Sequence, residues 1–523
     1  MIFSGLTQHW CKRPPATLWP GSGTALRRRS SLRLFASASS ADRLVQWVSS
    51  SGGTVSPTVH VSPPDSVMGA GLRASKACRS GELLVSLPRS CQLSYDGSTE
   101  PNLLQLISKV PEELWGAKLA LRVLKERIMG PDSPFHSYID NLPMGVPGIP
   151  MFFSPDAIRA LEQYPPLSEQ VKKRCRWLLS FSSEHLSALP GSPADPFLGT
   201  PVDANILGWA LAMTTSRAFR VQGPQHPAAL LPLIDMSNHS FAPNCEVKPG
   251  PGGSVEMVAS RDIRAEEDLL LSYGKLDNTF LLLDYGFMVP GNPHDTVLIR
   301  YDPIMFEAGH LLAQGQGAPP DNAPDLGSAT FQQQLLTEMN LLGPKADLEL
   351  AFGRSLQRCS PRLLAVARLF TAASAAEVRG RSADDLGAWD QPLSLINEVK
   401  ALRMVAGVAA MLLTRFPTTL EQDRRALEGG PAVAAEGGLP EGGPHQLAPD
   451  VRAAVQLRAE KKAVLSEVLQ DIGHRIRGLA SQTVPQGAAE AYRESVSQAS
   501  GGQKRKFSTS SRKAKMRNGK GFG

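Results

Sequence analysis

The sequence predicts an α+β chain: a β-rich first half split by a helical block, then a helical second half. Three observations predict it. Strand-like runs bounded by Gly, Pro and polar turns recur between 55 and 88 and again between 230 and 274. Between them, residues 101–215 carry apolar residues at helical spacing, divided by prolines such as Pro143, Pro147, Pro150, Pro165 and Pro166. Past residue 300 the helical spacing returns and persists.

Taken in order, Asp42, Leu44, Val45, Trp47 and Val48 suggest an amphipathic helix over 42–52 with Asp42 as its N-cap. Strands are expected over Val55 to Val61 and Gly71 to Ala74. The glycines between them permit close backbone approach to a ligand, so Met68, Gly69, Ala70, Gly71 and Leu72 form a candidate binding strip. A turn at 79–82 leads into a strand from Leu83. The helical block closes with a helix from Asp203 to Phe219. The apolar run Leu230, Leu231, Leu233, Ile234 reads as a strand delivering Asp235, Ser237, Asn238 and His239 to one point, as a site on a rigid scaffold requires. Pro243-Asn244-Cys245 follows, then a hairpin turning at 249–253, a strand over 269–274 and a short helix over 278–283. Two Tyr-Gly pairs, at Tyr273 and Tyr285, close these elements. Later helices are expected over 397–416 and 451–472.

Composition bounds the function. At 523 residues, with 42% hydrophobic and 20% charged residues, the chain is globular and long enough for two folded units. Its six cysteines form no CxxC pair, which argues against the common zinc sites and a disulfide framework, and for a reducing compartment. No apolar run is long enough to span a bilayer. The net charge of +6 belongs to the ends: six Lys/Arg in 1–40 and eight in 504–523, with no acid in either, leave the body eight charges negative. Residues 1–40, rich in Ser and Arg, read as a transit peptide, since a secretory signal needs an apolar core of about 7 residues. The basic tail reads as a solvated charge run; the alternative, a nuclear address or nucleic-acid patch, is the weaker reading.

The ordered set IDMSNHS (234–240), SYG (272–274) and DYGF (284–287), preceded by SRAF (216–219), resembles the catalytic half of SET-domain protein methyltransferases. It is most similar to the Rubisco large-subunit methyltransferase branch, and PTTLEQD (417–423) and LRAEK (457–461) resemble the helical substrate-binding domain of that branch. The resemblance implies a transit peptide over 1–40 and a SET domain over 41–300 with its helical insertion at about 100–215. It further implies an all-α substrate-binding domain over 301–480 and a disordered basic tail over 481–523. S-adenosylmethionine is the implied cofactor, with no metal and no membrane. The implied acceptor is a lysine on a non-histone protein docked by the helical domain, with chloroplast as location and mitochondrion, cytoplasm or nucleus as alternatives. Rubisco large subunit and plastid aldolase are the implied targets.

Methyl transfer from a sulfonium to an amine is an in-line displacement in which positioning supplies much of the rate. A lysine ammonium, with a reference pKa of about 10.4, must first lose its proton, and desolvation beside a sulfonium favours that loss. By resemblance, Tyr285 orients the amine and Tyr273 lines the lysine channel. Arg217, Asn238 and His239 hold the cofactor, with the 68–72 strip against its methionine end. Phe219, Arg220 and Asp235 are expected at the substrate, Phe219 favouring lysine over histidine because a polar Asn replaces it in the related actin-histidine methyltransferase. A histidine methyltransferase and a catalytically silent binding module are the alternatives.

Overall fold

A computed structural model describes residues 33–65, 69–96, 100–223, 225–300, 305, 306, 308, 309, 311, 331–341, 349–429 and 447–483. The transit-peptide reading, Met68 and the basic tail lie largely or wholly outside them. In chain order the first strands are β1 (Thr54–Val55), β2 (Val59–Asp65), β3 (Gly69–Ala74), β4 (Leu83–Leu87), β5 (Leu93–Ser94), β6 (Ala218–Phe219) and β7 (Ala229–Leu230). After them come β8 (Asn238–His239), β9 (Cys245–Pro249), β10 (Val255–Ala259), β11 (Leu270–Leu271), β12 (Val297–Arg300) and β13 (Glu349–Phe352). The helices that matter to the site are α1 (Arg33–Ser50), α2 (Pro101–Ile107), α3 (Trp115–Met129), α4 (Pro155–Leu161), α5 (Pro165–Phe181) and α6 (Ala204–Arg217). The second half adds α7 (Pro361–Phe370), α8 (Leu395–Thr414), α9 (Leu420–Leu427) and α10 (Pro449–Thr483).

The strands form small sheets instead of one large one. An antiparallel sheet runs β1-β4-β10-β9, β2 pairs with β3, and β5-β7-β6 forms a third. β8 and β11 make a two-residue parallel pair, and β13 returns from the helical half to pair with β12. Several boundaries differ from the sequence reading. α1 begins at Arg33, so Asp42 lies inside it and caps nothing; the Ala-containing run upstream sustains the helix. The strand expected over 230–234 ends at Leu230, because Pro232 has no N–H to donate. The chain then passes through Leu233 at φ 71° into a 3-10 turn, Ile234–Met236.

Two cores result. In the first, α6 packs on α3; its Trp209 is fully buried and donates through Nε1 to Pro143 O at 3.0 Å, while Asp203 caps the helix by accepting from Ile206 N–H at 2.9 Å. The second core belongs to α7, α8 and α10, yet it also takes in Leu161, Tyr164, Leu282 and Leu283 from the first half. Ion pairs lie inside it: Arg368 pairs with Glu398 at 2.7 Å, both fully buried. Asp423 accepts from Arg458 at 2.5 Å and from Lys462 and Thr418 at 2.7 Å each. Burial alone would push the Asp423 carboxyl up, but these donors outweigh it and hold it below its ordinary value.

Breaking a buried pair strands the remaining charge. Asp423→Ala should therefore cost about 3–5 kcal/mol in denaturant unfolding, whereas Arg425→Ala, on the exposed Arg425–Glu421 pair, should change little. Since the folded pKa of Asp423 is depressed, its contribution is present at neutral pH and is lost as pH falls through the carboxylate range.

Candidate functional site

The site starts at the β8–β11 pair, where Leu270 stands opposite Asn238 and Leu271 opposite His239. Two residues of pairing would not hold alone, and Asn244 completes it. Fully buried, it accepts from Leu270 N–H at 2.8 Å through Oδ1, and its Nδ2 donates to Asp268 O at 2.8 Å. β3 joins the same corner through Leu269 N–H to Leu72 O at 2.8 Å. Gly71 lies so close to Asn238 that a Cβ there would stand 2.8 Å from the Asn238 amide nitrogen.

The strand leaving β11 brings Tyr273 over this corner. Its N–H donates to His239 Nδ1 at 3.1 Å and its hydroxyl to Ser237 O at 2.8 Å. The Nδ1 bond puts the imidazole proton on Nε2, which has no partner, and burial lowers the His239 pKa, so the ring is neutral. Tyr285 stacks on Tyr273 with ring centroids 4.9 Å apart, and Tyr273 stands 5.1 Å from His239. Phe287 closes the group, 6.2 Å from Tyr285, 6.5 Å from Tyr273 and 6.3 Å from His239.

Tyr285 is delivered by a short helix, Asn278–Phe280, that widens into a π turn, Leu281–Tyr285, and stops at Gly286 with φ 77°. The helical insertion steadies this turn. A Cβ on Gly148 would fall 2.2 Å from Gly286 O, so two glycines are needed where the segments cross. Arg174 of α5 pairs with the buried Asp284 at 2.5 Å and donates to Leu283 O at 3.3 Å.

A cavity of about 1320 Å³ reaches Tyr285 from outside. Its walls include Trp115 of α3, Trp177 of α5, Ala218, Phe280, and Leu412 and Phe416 at the end of α8. Asn238 and His239 do not line it. The Tyr285 ring thus has the open cavity on one side and the Tyr273–His239 corner on the other.

The sequence-nominated residues divide accordingly. Gly71, Asn238, His239, Tyr273 and Tyr285 come together; Gly69 and Ala70 lie on the same strand, and Leu72 is buried behind it. Arg217 ends α6 and donates to Asp235 O at 3.3 Å; its Nε is buried without a partner. Asp235, expected at the substrate, is instead buried: Tyr138 donates to it at 2.7 Å and Arg217 stands 3.5 Å away. Phe219, expected in the pocket wall, faces away from it. Alternation along β6 gives Ala218 to the large cavity and Phe219 to a separate recess with Gln92, Val221 and Leu231. Arg220 is exposed, its guanidinium 5.7 Å from the ring of Trp115 at the cavity edge. Sequence reasoning passed over Tyr138, Arg174 and Phe287. Phe287 sits within the DYGF motif and was findable there. Tyr138 and Arg174 act across 97 and 109 residues, where no local pattern shows.

Burial pushes the Tyr285 phenol up to about 12, with Asp284 adding to it, and Tyr273 higher still. Both hydroxyls therefore stay protonated at neutral pH. In a spectrophotometric titration, the wild-type minus Tyr285→Phe difference in the tyrosinate band should stay flat through pH 9–10, around the ordinary phenol value of about 10. A step there would refute the burial.

Known proteins match at both halves. A SET domain model matches residues 69–274 and a Rubisco LSMT substrate-binding model matches 329–465. The actin-histidine N-methyltransferase of Homo sapiens is 25% identical over 453 residues, covering 82% of this chain and 67% of that protein; the Dasypus novemcinctus enzyme is 25% identical, covering 82% and 68%. A crystal structure of the SET domain of LSMT bound to lysine and AdoHcy superposes with TM-score 0.57 at 19% identity, over 84% of this chain and 92% of that one. Rubisco LSMT bound to AdoMet gives 0.55 at 18%, over 84% and 93%. The expected architecture, a β-rich core split by a helical insertion and followed by a helical domain, is the fold found. The chain carries a SET domain followed by a Rubisco LSMT substrate-binding domain.

Proposed function

We propose that this S-adenosylmethionine-dependent SET methyltransferase methylates a lysine side chain of a protein, in the plastid if residues 1–40 act as a transit peptide. One observation carries the reading. The Tyr273–Tyr285 stack separates a corner with unpaired polar groups from a cavity open to a protein surface.

The corner fits the cofactor. Gly71 lets β3 lie directly against the Asn238 amide, where a side chain would clash, and Arg217 Nε and His239 Nε2 are buried donors awaiting acceptors. Arg217 would meet the cofactor's carboxylate, Asn238 and His239 would hold it beside β3, and Phe287 would wall its apolar part. Bound there, S-adenosylmethionine supplies a methyl group on a positively charged sulfur.

The chain's own groups do the rest. Tyr285 at the cavity wall, backed by Tyr273, which its bond to Ser237 O fixes, presents aromatic surface to the acceptor; excluding water there disfavours an ammonium. Tyr285, protonated and facing the cavity, orients the amine lone pair toward the corner; water takes the amine's proton, since a phenol held near 12 is already occupied. The helical domain docks the acceptor protein, for which Leu412 of α8 and Phe416 just beyond it stand at the cavity wall. Rubisco large subunit and plastid aldolase are the targets favoured by the resemblance. Lysine is supported by this aromatic surface at the inner end of the cavity. A second reading, histidine, is favoured by the actin-histidine relatives at 25% identity.

Incubation of the full chain with labelled S-adenosylmethionine and a plastid extract should label a protein, and peptide mass spectrometry should place the methyl on lysine. Label on histidine would shift the acceptor and keep the transferase; no labelled protein would overturn the proposal. Tyr285→Phe should remove most of the label. Arg217→Ala should weaken cofactor binding, read by calorimetry, by about 10–100-fold, the worth of one charged hydrogen bond of about 1.5–3 kcal/mol.

A further inference from the structure

The LRAEK segment carries a lysine whose placement docking does not explain. Lys461, on the 35-residue helix α10, is fully buried. Its ammonium donates to Asp295 Oδ1 at 2.6 Å and to Thr296 O at 2.8 Å, and lies 5.4 Å from the Tyr164 ring. Burial pulls its pKa down, but Tyr164, Asp295 and Asp277 outweigh that pull, so the group stays charged.

Asp295 passes the contact on. Its Oδ1 accepts from Asn278 N–H at 3.0 Å and its Oδ2 from Asn278 Nδ2 at 3.3 Å. Asn278 is the first residue of the turn that ends at Tyr285, and it too is fully buried. It also bonds Val289 in both directions at 3.0 Å, closing the segment beyond the turn onto its start. Asp277, the N-cap, accepts from Thr296 Oγ1 at 2.9 Å. From Asn278 to Tyr285 is seven residues, a lever of roughly 10 Å at helical rise. A second hold on the same loop comes from α10: Glu460 accepts from Gly291 N–H at 3.2 Å and from Arg354 at 2.6 Å.

We propose that Lys461 is a positioning residue for methyl transfer: through Asp295 and Asn278 the buried ion pair fixes the turn that aims the Tyr285 ring. An apolar side chain could fill the same space. A charge with two acceptors specifies one geometry, the use for which buried ionic groups are best attested. The helical domain is then part of the catalytic apparatus as well as a dock for the acceptor. The inference rests on the role given to Tyr285 above.

The test uses the full chain with labelled S-adenosylmethionine over a range of plastid-extract concentrations, which separates maximal rate from half-saturation. The variants are Lys461→Met and the pair Lys461→Met with Asp295→Asn; the pair leaves no unmatched charge in the core and decides if the single variant does not fold. The maximal rate should fall about 100-fold, the effect of a misplacement of about 1 Å. Cofactor affinity and half-saturation should stay within about twofold, the scatter of independent sites. Tyr285→Phe added to either background should change the rate by no more than that scatter, since both substitutions act on one ring. A maximal rate that recovers in the pair along with the melting temperature would show a stabilising role only and overturn the inference. So would a normal rate in Lys461→Met, or effects of Lys461→Met and Tyr285→Phe that simply multiply. A normal rate in Tyr285→Phe alone would instead strike the role given to Tyr285.

Discussion

The site depends on a parallel pairing only two residues long. Asn238 and His239 face Leu270 and Leu271, and the pair survives because the Asn244 amide, shut away from water, supplies the hydrogen bonds that longer strands would give. Everything that places chemistry follows from it. His239 Nδ1 can accept from Tyr273 N–H only while β8 and β11 stay in this register, and Tyr273 reaches Ser237 O for the same reason. Moving the pairing by one residue would turn these side chains to the opposite face.

Tyr285 is secured independently. Its turn is a π bulge ending in a left-handed glycine, a shape with poor backbone bonding of its own. Three parts of the chain compensate: Gly148 crosses Gly286, Arg174 neutralises Asp284, and Asp295 grips Asn278. Leu282 and Leu283, on the same turn, are packed in the core of the helical half. The turn that carries Tyr285 therefore sits where both cores meet. Among the described residues no group of three or more His, Cys, Asp or Glu side chains is arranged to hold a metal ion. The polar groups gathered at the corner are two phenols, an amide, an imidazole and a guanidinium.

Much of this was legible beforehand, for physical reasons particular to each element. Asp203 before an apolar helical run marked the start of α6 correctly, because N-cap chemistry is local. The hairpin at 249–253 followed from its glycines and prolines. Asp42 misled, because the same cap signal cannot register that the residues before it also favour helix. The run at 230–234 looked like one strand, since hydrophobicity does not report the N–H missing at Pro232. Phe219 and Asp235 were assigned to the substrate from their neighbours in the chain, yet strand alternation and burial turn them elsewhere.

The sequence by itself determined the two-part organisation through its helical and strand spacing, and its ordered Asn-His, Tyr-Gly and Tyr-Gly motifs carried the resemblance that implied the chemistry and the cofactor class. Only the tertiary structure decided which side chains meet. Tyr138 finds Asp235, Arg174 finds the Leu283 carbonyl and Lys461 finds Asp295 across 97, 109 and 166 residues. Such contacts exist only once burial has removed water as the competing partner, and that condition is a property of the packed whole, written in no single segment.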